Sequence, residues 1–349
     1  MNVIVTWMLT VPKGEKILHA QTGVDSDQLE TQLLYWRCIF CLFESSARLN
    51  DNARHILFYN QPPPDEIDEI DIKHLIEKYR IECHALTKTT RPPLDYYLAW
   101  NTQFIVLDVL EMLAGMCGPE DMVLILDADC IFNMPIPETM VQDVKTHQAL
   151  VYSLDYPLDY PINGLSRRQL KALALEYDPG LQIEEFSING GEFICLLGSQ
   201  LGIFGKRARE AYQVSLLRHG QELCKFHNDE HLLSFVAHQC GYKTHTGNRY
   251  IRRIWTQHGV YTNITGNEAE YVIWHLPAEK NRGFIDSFRM LTPENDYSLS
   301  HVENLDRIFR IKISAAEFMQ VYINIARKAV NYRIGKFQSL VLKRIEHSD

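Results

Sequence analysis

No apolar run in this chain reaches the roughly 18 residues that a helix needs to cross a bilayer. The first ten residues are apolar, but no basic stretch precedes them and no small-residue cleavage site follows. They therefore read as a first strand and not as a leader. No GxGxxG follows that strand, which leaves a Rossmann-type dinucleotide site unsupported. Net positive charge is missing too. The 349 residues carry a formal charge of −9, so the chain as a whole does not advertise nucleic-acid binding. There is no internal repeat and no low-complexity linker. The expectation is a cytosolic chain, at most attached to a membrane from the cytosolic side.

Cysteine is present but unpaired in pattern. The eight cysteines are scattered, and Cys117, Cys130 and Cys195 sit inside apolar runs, where a thiol behaves as a small hydrophobe. Cys38 and Cys41 form a CxxC, but no second pair stands at metal-site spacing.

What is there is ordinary globular composition, 46% hydrophobic and 23% charged, in a chain long enough for one large domain or two smaller ones. The charge is uneven. Residues 305–349 hold nine Lys/Arg against four Asp/Glu, a local +5, so the remainder carries −14. In that tail Arg327, Lys328, Arg333, Lys336, Lys343 and Arg344 interleave with Tyr322, Tyr332, Phe337 and Leu340. Such a face suits peripheral contact with an anionic membrane. The plainer alternative is a packed helix pair with a basic outer side.

Along the first half, strands alternate with helices. Val3–Val5, Ile56–Tyr59, Ile81–Leu86 and Met122–Leu126 read as strands. Asp27 and Glu30 have capping-box spacing ahead of a helix through Phe43. Residues 71–79 and 94–116 also read as helices. Uniformly apolar strands between helices predict a parallel sheet covered on both faces. The second half is more mixed: strands at 150–152, 193–197 and 271–274, helices at 207–218 and 229–239, and helical periodicity again from Asp306.

The most informative segment is Val123-Leu124-Ile125-Leu126-Asp127-Ala128-Asp129. An apolar strand ends in two carboxylates one residue apart. If strand geometry persists through Asp129, both side chains leave one face about 7 Å apart. Ligands of open α/β sheets bind beyond the carboxyl ends of the strands. Two carboxylates there repel unless a cation joins them, and oxygen ligands select a hard ion such as Mn²⁺ or Mg²⁺. The alternative is that both aspartates only shape the turn.

With that segment in place, the sequence resembles GT-A glycosyltransferases, family 8 and its relatives in particular. Three later segments occur in the matching order: Ser187-Ile188-Asn189-Gly190-Gly191-Glu192-Phe193, Asn228-Asp229-Glu230-His231-Leu232-Leu233, and Ile273-Trp274-His275-Leu276-Pro277-Ala278-Glu279-Lys280. The resemblance spans roughly residues 1–285. The DxD is the strict match. The His-to-Lys spacing is one residue short, Ala278 stands where glycine is usual, and Asp-Glu replaces Asp-Gln-Asp.

The resemblance implies an α/β fold, a GT-A (Rossmann-like) mixed sheet flanked by helices, with a helical C-terminal extension. Residues 1–290 form the transferase domain, divided into a nucleotide-binding half (1–132) and a sugar and acceptor half (133–290). Residues 291–349 form the extension. It implies a metal site of Asp127, Asp129 and His275, with Lys280 on the donor diphosphate. UDP-sugar is the default donor, because most DxD enzymes of this fold use UDP, and the acceptor is a glycan or glycoconjugate. Family 8 favours a hexosyltransferase that retains configuration.

Each remaining candidate has a physical reading and a plain one. Asn189, Gly190 and Gly191 permit close approach to a sugar, or form a turn. Asp229 and Glu230 either deprotonate an acceptor or position the donor sugar, or simply cap a helix. Thr6 and Trp7 meet the nucleotide base, with Trp7 stacked on uracil or packed in the core. Arg91 is a candidate for the diphosphate. Two rival classes stand beside the transferase. One is a phosphohydrolase of the haloacid dehalogenase type, which also needs a later strand ending in paired acids. The other is a non-catalytic nucleotide-sugar or glycan-binding protein of the same fold.

Overall fold

A strand that is apolar on both faces is stable only when both faces are covered. The computed structural model, which describes residues 1–14, 25–97, 101–291, 302–314, 319 and 323, provides that cover. The strands that frame the site are β1 (Asn2–Met8), β2 (Arg54–Tyr59), β3 (Ile81–Ala85), β4 (Met122–Leu126), β5 (Cys130–Phe132), β6 (Ala149–Leu154), β7 (Ile188–Leu197), β8 (Ile251–Arg253) and β9 (Ile273–His275). The helices are α1 (Leu29–Leu49), α2 (Ile72–Lys78), α3 (Val106–Met116), α4 (Glu138–His147), α5 (Arg167–Tyr177), α6 (Gly198–Gly220), α7 (Asp229–Gln239), α8 (Gly283–Phe288) and α9 (Val302–Ile308).

The main sheet has six strands in the order β3-β2-β1-β4-β7-β6. The first four are parallel, and β7 then runs antiparallel to both β4 and β6. The sheet is therefore mixed, with helices on both faces. Alternation along β1 shows how: Val3, Val5 and Trp7 pack with α3, α6 and α7 residues, while Ile4 packs with Leu42 of α1 and Leu124. All five residues of β4 are buried, as its place in mid-sheet requires.

A second sheet, β8-β9-β5, stands at the carboxyl end of β4. β9 is parallel to β8 and antiparallel to β5. Beyond it, Leu305, Phe309 and Ile311 join Phe284, Phe288, Trp36 and Phe40 in one apolar cluster, so the chain around α9 packs on α1 and α8.

Several local expectations are corrected. Gln28 caps α1 without a side-chain bond, while Asp27 accepts from the Gly14 amide at 2.9 Å, so no capping box forms. The 94–116 periodicity yields a 3₁₀ turn at Asn101–Ile105 and a helix only from Val106. β7 starts five residues before the expected Phe193, which puts Asn189, Gly190 and Gly191 inside a strand and not in a turn. Three helices were not expected, α4, α5 and α8, although Ser166 and Gln169 form a complete capping box on α5. Cys38 and Cys41 are buried in α1, and burial pushes the Cys41 thiol up to about 12. The basic tail residues from Arg327 on lie outside the described residues. Among the described residues, no helix is long and apolar enough to cross a membrane.

Candidate metal and donor site

β4 ends at Leu126 and the chain turns at once. The Cys130 amide donates to the Asp127 carbonyl at 3.3 Å, so the expected continuation of the strand through Asp129 is replaced by a tight turn. The physical reason is that the next three residues are claimed by the second sheet. There Cys130 is the register partner of His275, and the Leu276 amide donates to the Asp129 carbonyl at 2.9 Å.

This pairing brings three ligand-type side chains together. One ligand atom each from Asp127, Asp129 and His275 lies within 4.8 Å of the others. His275 Nε2 is 3.2 Å from Asp129 Oδ2 and 4.0 Å from Asp127 Oδ2. The Lys280 ammonium is paired with Asp129 Oδ2. On the far side of the ring, His275 Nδ1 lies 3.2 Å from Glu192 Oε1. Arg253 clasps the same Glu192 through Nε and Nη2, both at 2.6 Å.

The electrostatics follow from burial of so many charges. Burial, with Asp129 close by, pushes the Asp127 carboxyl up to about 7. Burial also opposes the Asp129 anion, but Lys280 and His275 outweigh it and hold that carboxyl well below the usual range. Burial opposes the His275 imidazolium as well, yet Asp129 and Glu192 raise it to about 9. Glu192 is held low because Arg253 and His275 overcome its burial.

Two carboxylates and one imidazole nitrogen suit Mn²⁺ or Mg²⁺. Asp129 adds to the rise that burial gives Asp127, and a cation would neutralise that added negative charge. Glu192 at Nδ1 leaves Nε2 as the metal-facing nitrogen, the usual arrangement for a ligating histidine. The residues present therefore fit a divalent ion.

The cluster opens into a cleft of about 290 Å³. Of the candidates read from sequence, Trp7, Asp127, Asp129, Gly191, Asp229, Glu230, His275 and Lys280 line it. Thr6, Arg91, Asn189 and Gly190 do not. Thr6 is fully buried in β1. Asn189 ties strands to a helix: its Oδ1 accepts from Ser153 Oγ at 2.9 Å and its amide donates to Ser234 Oγ at 2.8 Å. Gly190 lies under the Glu192–Arg253 pair, where a Cβ would meet Glu192 Oε2 at 2.2 Å.

At the start of α7 the cap is Asn228, whose Oδ1 accepts from the His231 amide at 3.2 Å. Asp229 and Glu230, the next two residues, line the cleft, both buried. Burial raises the Asp229 carboxyl well above its ordinary value, and Asp127 and Glu230 add to the rise. Burial raises Glu230 too. Arg253 pulls it partly back, and Glu192 adds to the rise.

Sequence reasoning passed over Glu192, Arg253, Tyr156, Asn163 and Trp255, all cleft-lining. Glu192 did carry a signal, being a lone carboxylate in an apolar strand. Arg253 carried none, because Arg252-Arg253 reads as a solvated pair.

No protein-family model and no curated protein matches the sequence. Among solved structures, the chain is similar to the apo form of mouse xyloside xylosyltransferase 1. The identity is 10% and the TM-score 0.43, with 79% of this chain and 97% of that one covered. At that level the chemistry of the cleft rests on its own residues.

Proposed function

We propose that this chain is a metal-dependent glycosyltransferase of the GT-A kind. It moves a sugar from a nucleotide-sugar donor, UDP-sugar by default, to a hydroxyl of a glycan or glycoconjugate. The observation that carries the reading is the meeting of Asp127, Asp129 and His275 at the carboxyl end of β4, in a cleft shared with Lys280, Asp229 and Glu230.

Asp127, Asp129 and His275 hold Mn²⁺ or Mg²⁺. Bound there, the ion supplies Lewis-acid stabilisation of the charge that develops on a departing nucleoside diphosphate. Lys280 adds a second positive charge on the same side of the cleft. Trp7 and the end of β1 offer the nucleotide base an apolar wall. Gly191 keeps the approach to Asp229 open, since a Cβ there would stand 3.3 Å from Asp229 Oδ2.

Asp229 and Glu230 face the reacting end of the donor. Their raised carboxyls are more basic than ordinary carboxylates, which favours proton uptake from an acceptor hydroxyl in an inverting reaction. In a retaining reaction, which the family 8 resemblance favours, they orient the donor sugar instead.

The test is donor hydrolysis over a panel of nucleotide sugars with Mn²⁺, repeated on Asp129→Ala. Wild type is expected to hydrolyse at least one UDP-sugar, and the variant to lose about 100-fold or more. Equal rates in the two proteins would remove the metal-site reading. Release of phosphate from simple phosphoesters without sugar transfer would favour a phosphohydrolase.

A further inference from the structure

Behind Asp127, Asp129 and His275 lies a line of paired charges. Glu192 Oε1 takes both His275 Nδ1, at 3.2 Å, and Arg253 Nε, at 2.6 Å. Arg253 Nη2 closes the fork on Glu192 Oε2 at 2.6 Å and lies 3.5 Å from Glu230 Oε1. Asn163 Nδ2 donates to the other Glu230 oxygen at 3.0 Å. The Glu192 side chain is 1% exposed and that of Arg253 16%. One continuous chain of contacts thus joins a metal-ligating imidazole to a candidate catalytic carboxylate.

We propose that Glu192 and Arg253 are the positioning residues of the metal site: Glu192 fixes which imidazole nitrogen faces the two aspartates, and Arg253 locks Glu192 while holding Glu230 in the cleft. The proposal rests on the metal reading of the triad. A histidine ring held only at its Cβ has two flips and two tautomers, and a carboxylate on Nδ1 selects the one that presents Nε2. A bidentate Arg–carboxylate fork is the most directional ion pair available for holding that carboxylate still.

The backbone agrees. Gly190 lies beneath this pair, and its missing Cβ leaves room for Glu192 Oε2, at 2.2 Å, and Arg253 Nη2, at 3.0 Å. Any larger residue there has to displace a carboxylate already committed to two partners. That accounts for Gly190, which lines no part of the cleft, by chemistry that sugar contact does not supply.

The test is Mn²⁺ binding to the full-length protein, followed by electron paramagnetic resonance of the free ion. The proteins compared are wild type, Glu192→Ala, Glu192→Gln, Gly190→Ala, His275→Ala and the double variant Glu192→Ala/His275→Ala. Glu192→Ala is expected to weaken Mn²⁺ binding about 10- to 100-fold, the usual loss on removing the partner of a metal-ligating histidine. Glu192→Gln keeps the volume and one acceptor, and is expected to lose about 3-fold or more. It carries the test if Glu192→Ala does not fold. Gly190→Ala is expected to weaken binding in the same direction without touching a ligand.

Because Glu192 acts through His275, the double variant is expected to bind no more weakly than His275→Ala alone. Additive losses overturn the proposal, since they place Glu192's effect elsewhere. So does wild-type affinity in Glu192→Gln and Gly190→Ala. A wild-type protein that binds no Mn²⁺ is a different failure: it removes the metal reading itself, and this proposal with it.

Discussion

Asp129 and His275 meet with Oδ2 and Nε2 3.2 Å apart because Cys130, the residue after Asp129, is the register partner of His275 in an antiparallel strand pair. The contact is set by backbone hydrogen bonding, not by the two side chains finding one another. The short sheet β8-β9-β5 therefore serves as the frame that delivers an imidazole to the end of β4.

Asp129 also pairs with the buried Lys280 ammonium, which is 3% exposed. Replacing Asp129 by alanine takes this carboxylate away from the buried cation. The expected cost is about 3–5 kcal/mol of stability in the metal-free protein. Urea unfolding of metal-free wild type and variant measures it, and a loss below about 1 kcal/mol would mean that Lys280 reaches water.

His55, which does not line the cleft, gives the protein an acid-sensitive element. It is 3% exposed, bonded to Ser46 Oγ at 2.9 Å and set edge-on to Phe43. Burial lowers it from 6.5 to about 4. The unfolded chain therefore binds the extra proton first. The stabilisation is complete above pH 6.5 and is lost as pH falls through the folded value near 4. Between pH 7.5 and 4.5 it accounts for about 2–3 kcal/mol. His55→Gln is expected to shrink the stability difference between those two pH values by that amount, read from urea midpoints. An unchanged difference would locate the acid sensitivity elsewhere.

Gly198 opens α6 against the turn that precedes β4. A Cβ there would lie 1.9 Å from the Gly118 carbonyl oxygen, and the Gly198 amide donates to the Asp121 carbonyl at 2.7 Å. Backbone meets backbone, so no side chain can yield. Gly198→Ala is expected to cost about 2–4 kcal/mol, whereas Gly202→Ala, with open space around it, changes stability little. Thermal or urea unfolding of the two variants side by side checks the contrast.

Trp255 lines the cleft and packs edge-on against Tyr261, which is 54% exposed. In the proposed transferase, an amphipathic ring at that position would offer a flat face to a sugar acceptor. Trp255→Ala is expected to lower transfer to a glycan acceptor about 10-fold or more, and to lower donor hydrolysis less. Parallel assays of transfer and hydrolysis separate the two effects. Equal losses would put Trp255 on the donor side.

The linear order of residues determined the α/β alternation, the buried character of β4 and the position of the aspartate pair. Each depends on local pattern: a continuous apolar run needs cover on both faces, and acids at its end need a cation or a turn. It also pointed to His275 and Lys280, through a resemblance in motif order. The tertiary structure alone decided that Asp129 leaves strand geometry, because β5 is claimed by β9 in another sheet. It alone decided that Asn228, not Asp229, caps α7, and that Glu192 and Arg253 stand together behind the imidazole. Those facts rest on pairings between residues far apart in the chain. Such pairings leave no periodicity to read, because the partner that gives each residue its role is set by how the sheets close around it.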